Sequence, residues 1–315
     1  MSKLMFSVCL MLFFGLTACS GSSESKGETT DTLYCDANAG EKQPAAGEGI
    51  FGGRRVHKDS WIARGVVAIL TKNSRGGISI CTGTLIDRNL VLTAAHCVDR
   101  YEIASRTQVM FTAEPLCTFR ANNAGALNEV SAVRIHRGYN ASRFENDMAM
   151  IRLSRPAPAE YRTLSLVNRP FAITKYTPVL LTGYGTQSDY NTSARNDPHD
   201  LKYTHIVPYS GPLAAKSILP MATSPLLYFD QRNGSGACVG DSGGPALARN
   251  EAGKYQVIGV ASKVDELDQP EFERQQDVSC KTGIAHSSVS YYQIWIEETF
   301  KQLRNSDSLR QHAFD

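Results

Sequence analysis

The chain is expected to be all-β, a barrel or sandwich closed by one docked C-terminal helix. Two observations predict this. From Ile50 onward, short apolar runs rich in β-branched residues are separated by turn residues, the pattern of many short strands. Sustained helical periodicity comes only near the end, over residues 291–303. Many strands followed by one terminal helix bury their apolar faces by closing a sheet and packing the helix on it.

The elements follow in order. Residues 65–70, 78–86, 90–93, 130–135, 148–153, 179–182 and 257–260 are examples of strand-length apolar runs in which β-branched residues are frequent. Residues 186–200 are polar throughout and predict a surface loop. In the terminal segment Tyr292, Trp295, Ile296, Thr299, Phe300 and Leu303 fall near one helical face. No internal repeat is present.

Composition narrows the function classes. The chain is 42% hydrophobic and 20% charged, ordinary for a soluble globular protein. A formal net charge of +2 gives no reason to expect a nucleic-acid partner. The seven histidines are scattered and no Cys/His cluster has metal-ligand spacing, so neither a metal nor a cofactor is expected.

The N-terminus carries an address. Lys3 precedes an apolar run over residues 5–16, which as a helix would measure about 18 Å. A hydrocarbon core of ~30 Å is too thick for it to span, so it reads as the core of a secretory signal peptide, residues 1–18. Its end, Leu16-Thr17-Ala18-Cys19, resembles the lipobox of bacterial lipoproteins. That resemblance implies cleavage before Cys19, lipid on Cys19 and a membrane attachment through it. An ordinary signal peptide ending near a cysteine is the alternative. Ser20, rather than Asp, leans towards the outer membrane; the protein is expected in the cell envelope, or released after processing. Residues 19–49 hold almost no large apolar side chains and are expected to form a tether and propeptide ahead of a domain at 50–315.

Three short motifs carry chemistry. Gly240-Asp241-Ser242-Gly243-Gly244-Pro245 sets a serine among glycines that let the backbone turn and expose its amides. A serine hydroxyl needs a base to become a nucleophile, and amide donors to hold the charge that develops on the attacked carbonyl. A Gly-rich turn with an ordinary serine is the bland alternative. Leu92-Thr93-Ala94-Ala95-His96-Cys97 places an imidazole after an apolar strand. Asn146-Asp147-Met148-Ala149-Met150 places a carboxylate at the mouth of another, where it could orient an imidazole or be a solvated turn residue.

Taken in the order His96, Asp147, Ser242, these motifs resemble the chymotrypsin-like (trypsin-fold) serine peptidases. Further segments extend the resemblance: Ile50-Phe51-Gly52-Gly53, Cys81-Thr82-Gly83-Thr84, His136-Arg137-Gly138-Tyr139, Gly183-Tyr184-Gly185 and Trp295-Ile296. It covers residues 50 to about 303. It implies two packed six-stranded antiparallel β-barrels with a C-terminal helix and a site between the barrels. It implies catalysis by His96, Asp147 and Ser242, with the Gly240 and Ser242 amides as the oxyanion hole, acting on protein or peptide substrates.

The resemblance also implies that Asp241 pairs with a new α-amino group at Ile50 after cleavage. Here the sequence departs from the family. Glu48-Gly49 precedes Ile50, with no Arg or Lys for a trypsin-like activator, and Phe51 replaces the usual aliphatic residue. Disulfides Cys81–Cys97 and Cys238–Cys280 are implied as well. By subtraction Cys35 and Cys117 remain, to pair with each other or stay free. Gly236 is expected at the floor of the primary specificity pocket, Ser262 near the triad, and Val264 narrowing the pocket mouth. An uncharged floor leans towards small or medium apolar P1 residues rather than Arg or Lys. The rival from another class is an inactive binding or adhesion module on the same fold. A serine esterase on an α/β-hydrolase fold would need its acid and histidine after the serine.

Overall fold

Strand pairing closes the chain into a ring twice. In this computed structural model the described residues are 50–72, 77–99, 103–116, 127–168, 171, 173–186, 199–209, 224–265, 267 and 280–311. The first barrel uses β2 (Val66–Lys72), β3 (Ile78–Asp87), β4 (Leu90–Thr93), β5 (Thr107–Met110), β6 (Leu127–Ile135) and β7 (Ala149–Leu153). Its order is β2-β3-β4-β7-β6-β5, and the β5–β2 pair closes it. A short helix α1 (Ile103–Arg106) leads into β5.

The second barrel uses β8 (Val179–Gly183), β9 (Lys202–Pro208), β10 (Leu226–Asp230), β11 (Pro245–Arg249), β12 (Tyr255–Asp265) and β13 (Gly283–Ser288). Its order is β8-β9-β10-β13-β12-β11, closed by β11 on β8. The two-residue β1 (Arg54–Arg55) adds to β9. Named strand pairs are antiparallel throughout, and closure leaves no long unpaired edge. Helix α2 (Gln293–Gln311) ends the fold.

The apolar runs read from the sequence all fall in strands, because each supplies the core. Ile69, Leu85, Leu92, Met110 and Met150 in the first barrel, and Phe229, Leu247 and Ile258 in the second, are completely buried. The terminal helix begins at Gln293, two residues after the expected start, and buries Ile296, Thr299 and Leu303. Tyr292, just before it, packs edge-on against His136 and donates from its hydroxyl to Asn146 Oδ1 at 3.2 Å. The chain end is thereby fastened beside Asp147. Among the described residues no helix is long and apolar enough to cross a membrane.

The barrels meet through Tyr184, the middle of Gly183-Tyr184-Gly185. Its hydroxyl donates to the carbonyls of Val66 and Thr112 in the first half of the chain. Burial pushes its phenol far above the ordinary tyrosine range. The flanking glycines are required by space: a methyl group at Gly183 or Gly185 would collide with the Asp241 carboxylate.

Five strands longer than two residues, β5, β9, β10, β11 and β13, lie outside the expected set. Two of these are polar yet buried. β9 buries Lys202, whose ammonium pairs at 2.9 Å with the fully buried Asp200 carboxylate, which Arg55 also contacts. β13 buries all six of its residues, including His286, Ser287 and Ser288. The signal 1–18, the tether 19–49, Cys19, Cys35, Cys117 and most of the polar stretch 186–200 lie outside the described residues.

His286 packs edge-on against Phe229 at 5.1 Å, and its Nδ1 finds no hydrogen-bond partner among the described residues. Burial holds its pKa down at about 3. An unfolded chain protonates this group near pH 6.5, whereas the folded chain does not until about pH 3. Stability from this residue is therefore complete above pH 6.5 and falls as pH drops towards 3. Chemical denaturation at pH 7 and pH 5 should show a loss of about 2 kcal/mol that disappears in His286→Leu. Parallel pH slopes for the two proteins would refute the assignment.

Candidate active site

Asp147 follows Asn146, a residue in the left-handed region (φ 52°), and immediately precedes Met148 and β7. That local turn is held by Asn146 itself, whose Nδ2 donates to Gly138 O at 2.7 Å. The turned backbone directs the Asp147 carboxylate inward, where it is completely buried. His96 sits in a 3₁₀ turn (Ala95–Cys97) directly after β4, and β4 pairs with β7. The two side chains are thus delivered from adjacent strands.

The carboxylate is met from both barrels. Oδ1 accepts the His96 backbone N–H at 2.9 Å. Oδ2 lies 2.8 Å from His96 Nδ1 and also accepts the Ser262 hydroxyl at 2.6 Å. Ser287 Oγ donates to the Asp147 backbone carbonyl at 3.0 Å. Ser262 lies on β12 and Ser287 on β13, so the second barrel secures a residue of the first. Phe144 packs edge-on against the His96 ring at 5.4 Å. Near this cluster, burial and then the charges of Asp147 and Asp99 push the Tyr139 phenol well up.

Ser242 is presented by a loop clamped between the barrels. Its carbonyl accepts from Thr82 N–H of β3 at 2.8 Å, and Gly243 N–H donates to Ala261 O of β12 at 2.8 Å. Gly243 has φ 82°, and a methyl group there would collide with Thr93 and the Thr82 carbonyl. The Thr82 hydroxyl donates to Gly240 O at 2.9 Å and accepts from Tyr184 N–H at 3.1 Å. Among the described residues, the Gly240 and Ser242 amides donate to no protein acceptor. The buried Asp241 carboxylate accepts from Gly185 N–H and Cys238 N–H, each at 2.8 Å.

His96 and Ser242 line one cleft of about 320 Å³. Its lining includes Cys238, Val239, Gly240, Ala261, Ser262, Lys263, Val264 and Ile284. Disulfides close between Cys81 and Cys97 and between Cys238 and Cys280, and Cys81, Cys97 and Cys238 line the cleft. Cys81, His96 and Cys97 cluster, but both sulfurs are consumed in the disulfide and cannot act as thiolate ligands. Ile50 is buried, and the Phe51 carbonyl accepts from Gly236 N–H at 2.9 Å.

A family model described as Trypsin matches residues 50–279. The chain belongs to the trypsin family. It is 31% identical to trypsin alpha of Drosophila erecta over 181 residues, 55% of this chain and 65% of that protein. It is 28% identical to transmembrane protease serine 11C of Mus musculus over 256 residues, 79% of this chain and 53% of that protein. The chain thus spans between about half and two thirds of the length of these relatives. Among solved structures, HL collagenase superposes with a TM-score of 0.60 at 21% identity, covering 80% of this chain and 98% of that one. The scabies mite inactivated protease paralogue S-I1 gives 0.58 at 21% identity, covering 79% and 99%. These superpositions establish the trypsin-family fold.

Within that fold Ser262 and Val264 line the cleft that holds Ser242. A methyl group on Gly236 would collide with the buried Gln231 side chain. Sequence reading missed Gln231, Phe144, Thr82 and Ser287. Phe144 alone had a local signal, an apolar residue three positions before Asp147.

Ser262→Ala removes one donor from a buried carboxylate. A loss of about 1–3 kcal/mol in stability is expected in chemical denaturation at neutral pH. Unchanged stability would mean that this hydrogen bond does not hold the Asp147 side chain.

Proposed function

We propose that this chain is an exported serine endopeptidase. It cleaves peptide bonds through His96, Asp147 and Ser242 by way of an acyl-enzyme, favouring small or apolar P1 residues. One observation carries this reading: the His96 imidazole is held at Nδ1 by a buried carboxylate, in the same cleft as Ser242.

Asp147 keeps the His96 proton on Nδ1 and leaves Nε2 as the base. Nε2 takes the Ser242 hydroxyl proton as Oγ attacks the scissile carbonyl, then passes it to the leaving amine. Water repeats the sequence to release the acyl group. The negative oxygen of each tetrahedral intermediate is received by the amides of Gly240 and Ser242, whose N–H groups are uncommitted within the described residues. Such a donor contributes roughly 3–4 kcal/mol to transition-state stabilisation.

The processing scheme belongs to the same proposal. A signal peptide at 1–18 is removed, Cys19 is lipidated, and residues 19–49 tether a domain at 50–315. Cleavage of Gly49–Ile50 frees an amino group that pairs with Asp241, whose carboxylate already braces the loop before Ser242. A Cys35–Cys117 disulfide would keep the lipid attached after that cut. With that disulfide the domain stays in the cell envelope; without it, the cut at Ile50 releases the domain.

A fluorophosphonate probe should label the wild-type protein and leave Ser242→Ala unlabelled and inactive but folded. The labelled species should begin at Ile50 in N-terminal sequencing. Absence of labelling in folded, Ile50-processed protein would reject the peptidase reading in favour of an inactive module. An active, labelled species with uncut Gly49–Ile50 would reject the activation step alone.

A further inference from the structure

Thr82 lies on β3 of the first barrel and is completely buried, hydroxyl included. Four hydrogen bonds converge on it. Its backbone N–H donates to Ser242 O at 2.8 Å, and its carbonyl accepts the Thr93 hydroxyl at 2.9 Å. Its own hydroxyl donates to Gly240 O at 2.9 Å and accepts Tyr184 N–H at 3.1 Å. One residue of the first barrel thus holds the carbonyls on both sides of Asp241, and the peptide bond that carries the Ser242 amide lies between them. Its side chain has little freedom. A methyl group on Gly244 would come within 3.1 Å of Thr82 Cγ2, and β-branching restricts χ1 further.

We propose that Thr82 is a positioning residue for the oxyanion hole. Its amide and hydroxyl hold the Gly240–Ser242 segment where the Gly240 and Ser242 amides meet the charge that develops on the substrate carbonyl. The proposal rests on the peptidase reading above and adds to it a residue that touches no substrate atom. Three observations carry it. The hydroxyl gives one hydrogen bond and takes another, so it joins Gly240 to Tyr184; a valine of the same shape could join neither. The strand that holds the segment is itself fixed by pairing with β2 and β4, independently of the loop it grips. Gly240 has φ 96°, a conformation open to glycine, whose backbone is also the freest to leave it, so the hold has to come from outside the segment. A hole built from amides works only where those amides are fixed before the reaction begins.

The test uses the processed full chain, with active sites counted by complete reaction with a fluorophosphonate. The readouts are kcat and KM for one peptide substrate, and Ki for a peptide aldehyde, whose hemiacetal with Ser242 Oγ sets an oxygen where the tetrahedral intermediate has its own. Thr82→Val keeps the shape and removes the hydroxyl. Its kcat per labelled site should fall by at least about tenfold while KM stays within about twofold, and the aldehyde Ki should rise by a similar factor. Thr82→Ser keeps the hydroxyl and should return kcat to within about threefold of wild type. A residue that only braced the fold would lower stability and the labelled fraction, and leave kcat per labelled site and the aldehyde Ki unmoved. Only folded sites take the label, so a variant that folds in part is still read. Should Thr82→Val give no labelled sites, Thr82→Ala removes the same hydroxyl and must show the same split. Unchanged kcat per labelled site without the hydroxyl, or Thr82→Ser as impaired as Thr82→Val, overturns the positioning role. Wild type that takes no label overturns the peptidase reading instead, so the two failures are distinct.

Discussion

Everything in the site hangs on one carboxylate that cannot reach water. Asp147 is enclosed at the seam, and its oxygens are satisfied by His96 from one barrel and Ser262 from the other. A buried carboxylate is tolerated only when its lone pairs are met, and these are charge-assisted bonds to fixed donors. The His96 ring is consequently held in one orientation by an atom that has nowhere else to go. Ser287 secures the backbone of Asp147, and Tyr292 secures Asn146 beside it, so the end of the chain also serves this one group.

A second buried carboxylate does comparable work for the loop that carries Ser242. Asp241 takes amides from Gly185 and Cys238, with the surrounding glycines leaving room for its oxygens. Thr82 reaches across from the first barrel to the Gly240 carbonyl and ties the segment before Ser242 to that barrel. The polar groups of the seam thus do two things at once. They join the barrels, and they hold His96 and the segment carrying Ser242 at one cleft.

Much of this was legible in the sequence where chemistry and local pattern coincide. His96 ends an apolar strand, Asp147 opens another, and Ser242 lies among glycines that the close approach of Thr93 and Thr82 requires. Strands such as β2, β4 and β7 were visible because almost all their residues enter the core. β9 and β13 were not, because they bury polar side chains, Lys202 beside Asp200 and His286, Ser287 and Ser288 in β13, which break the apolar pattern. Gln231 was invisible for the same reason. A polar loop residue is buried there through hydrogen bonds to Ala237 and Cys280, and no local pattern encodes that meeting. At Gly236, expected at the floor of the primary pocket, the missing side chain makes room for Gln231.

The central claim is that the Asp147 carboxylate holds the His96 Nδ1 proton in a strong buried hydrogen bond. Proton NMR of the folded protein reads that proton directly. A resonance far downfield of the amide region is predicted, assigned to His96 Nδ1 by nitrogen labelling and abolished in Asp147→Asn. A spectrum without such a resonance, or one in which it survives that substitution, would contradict the account.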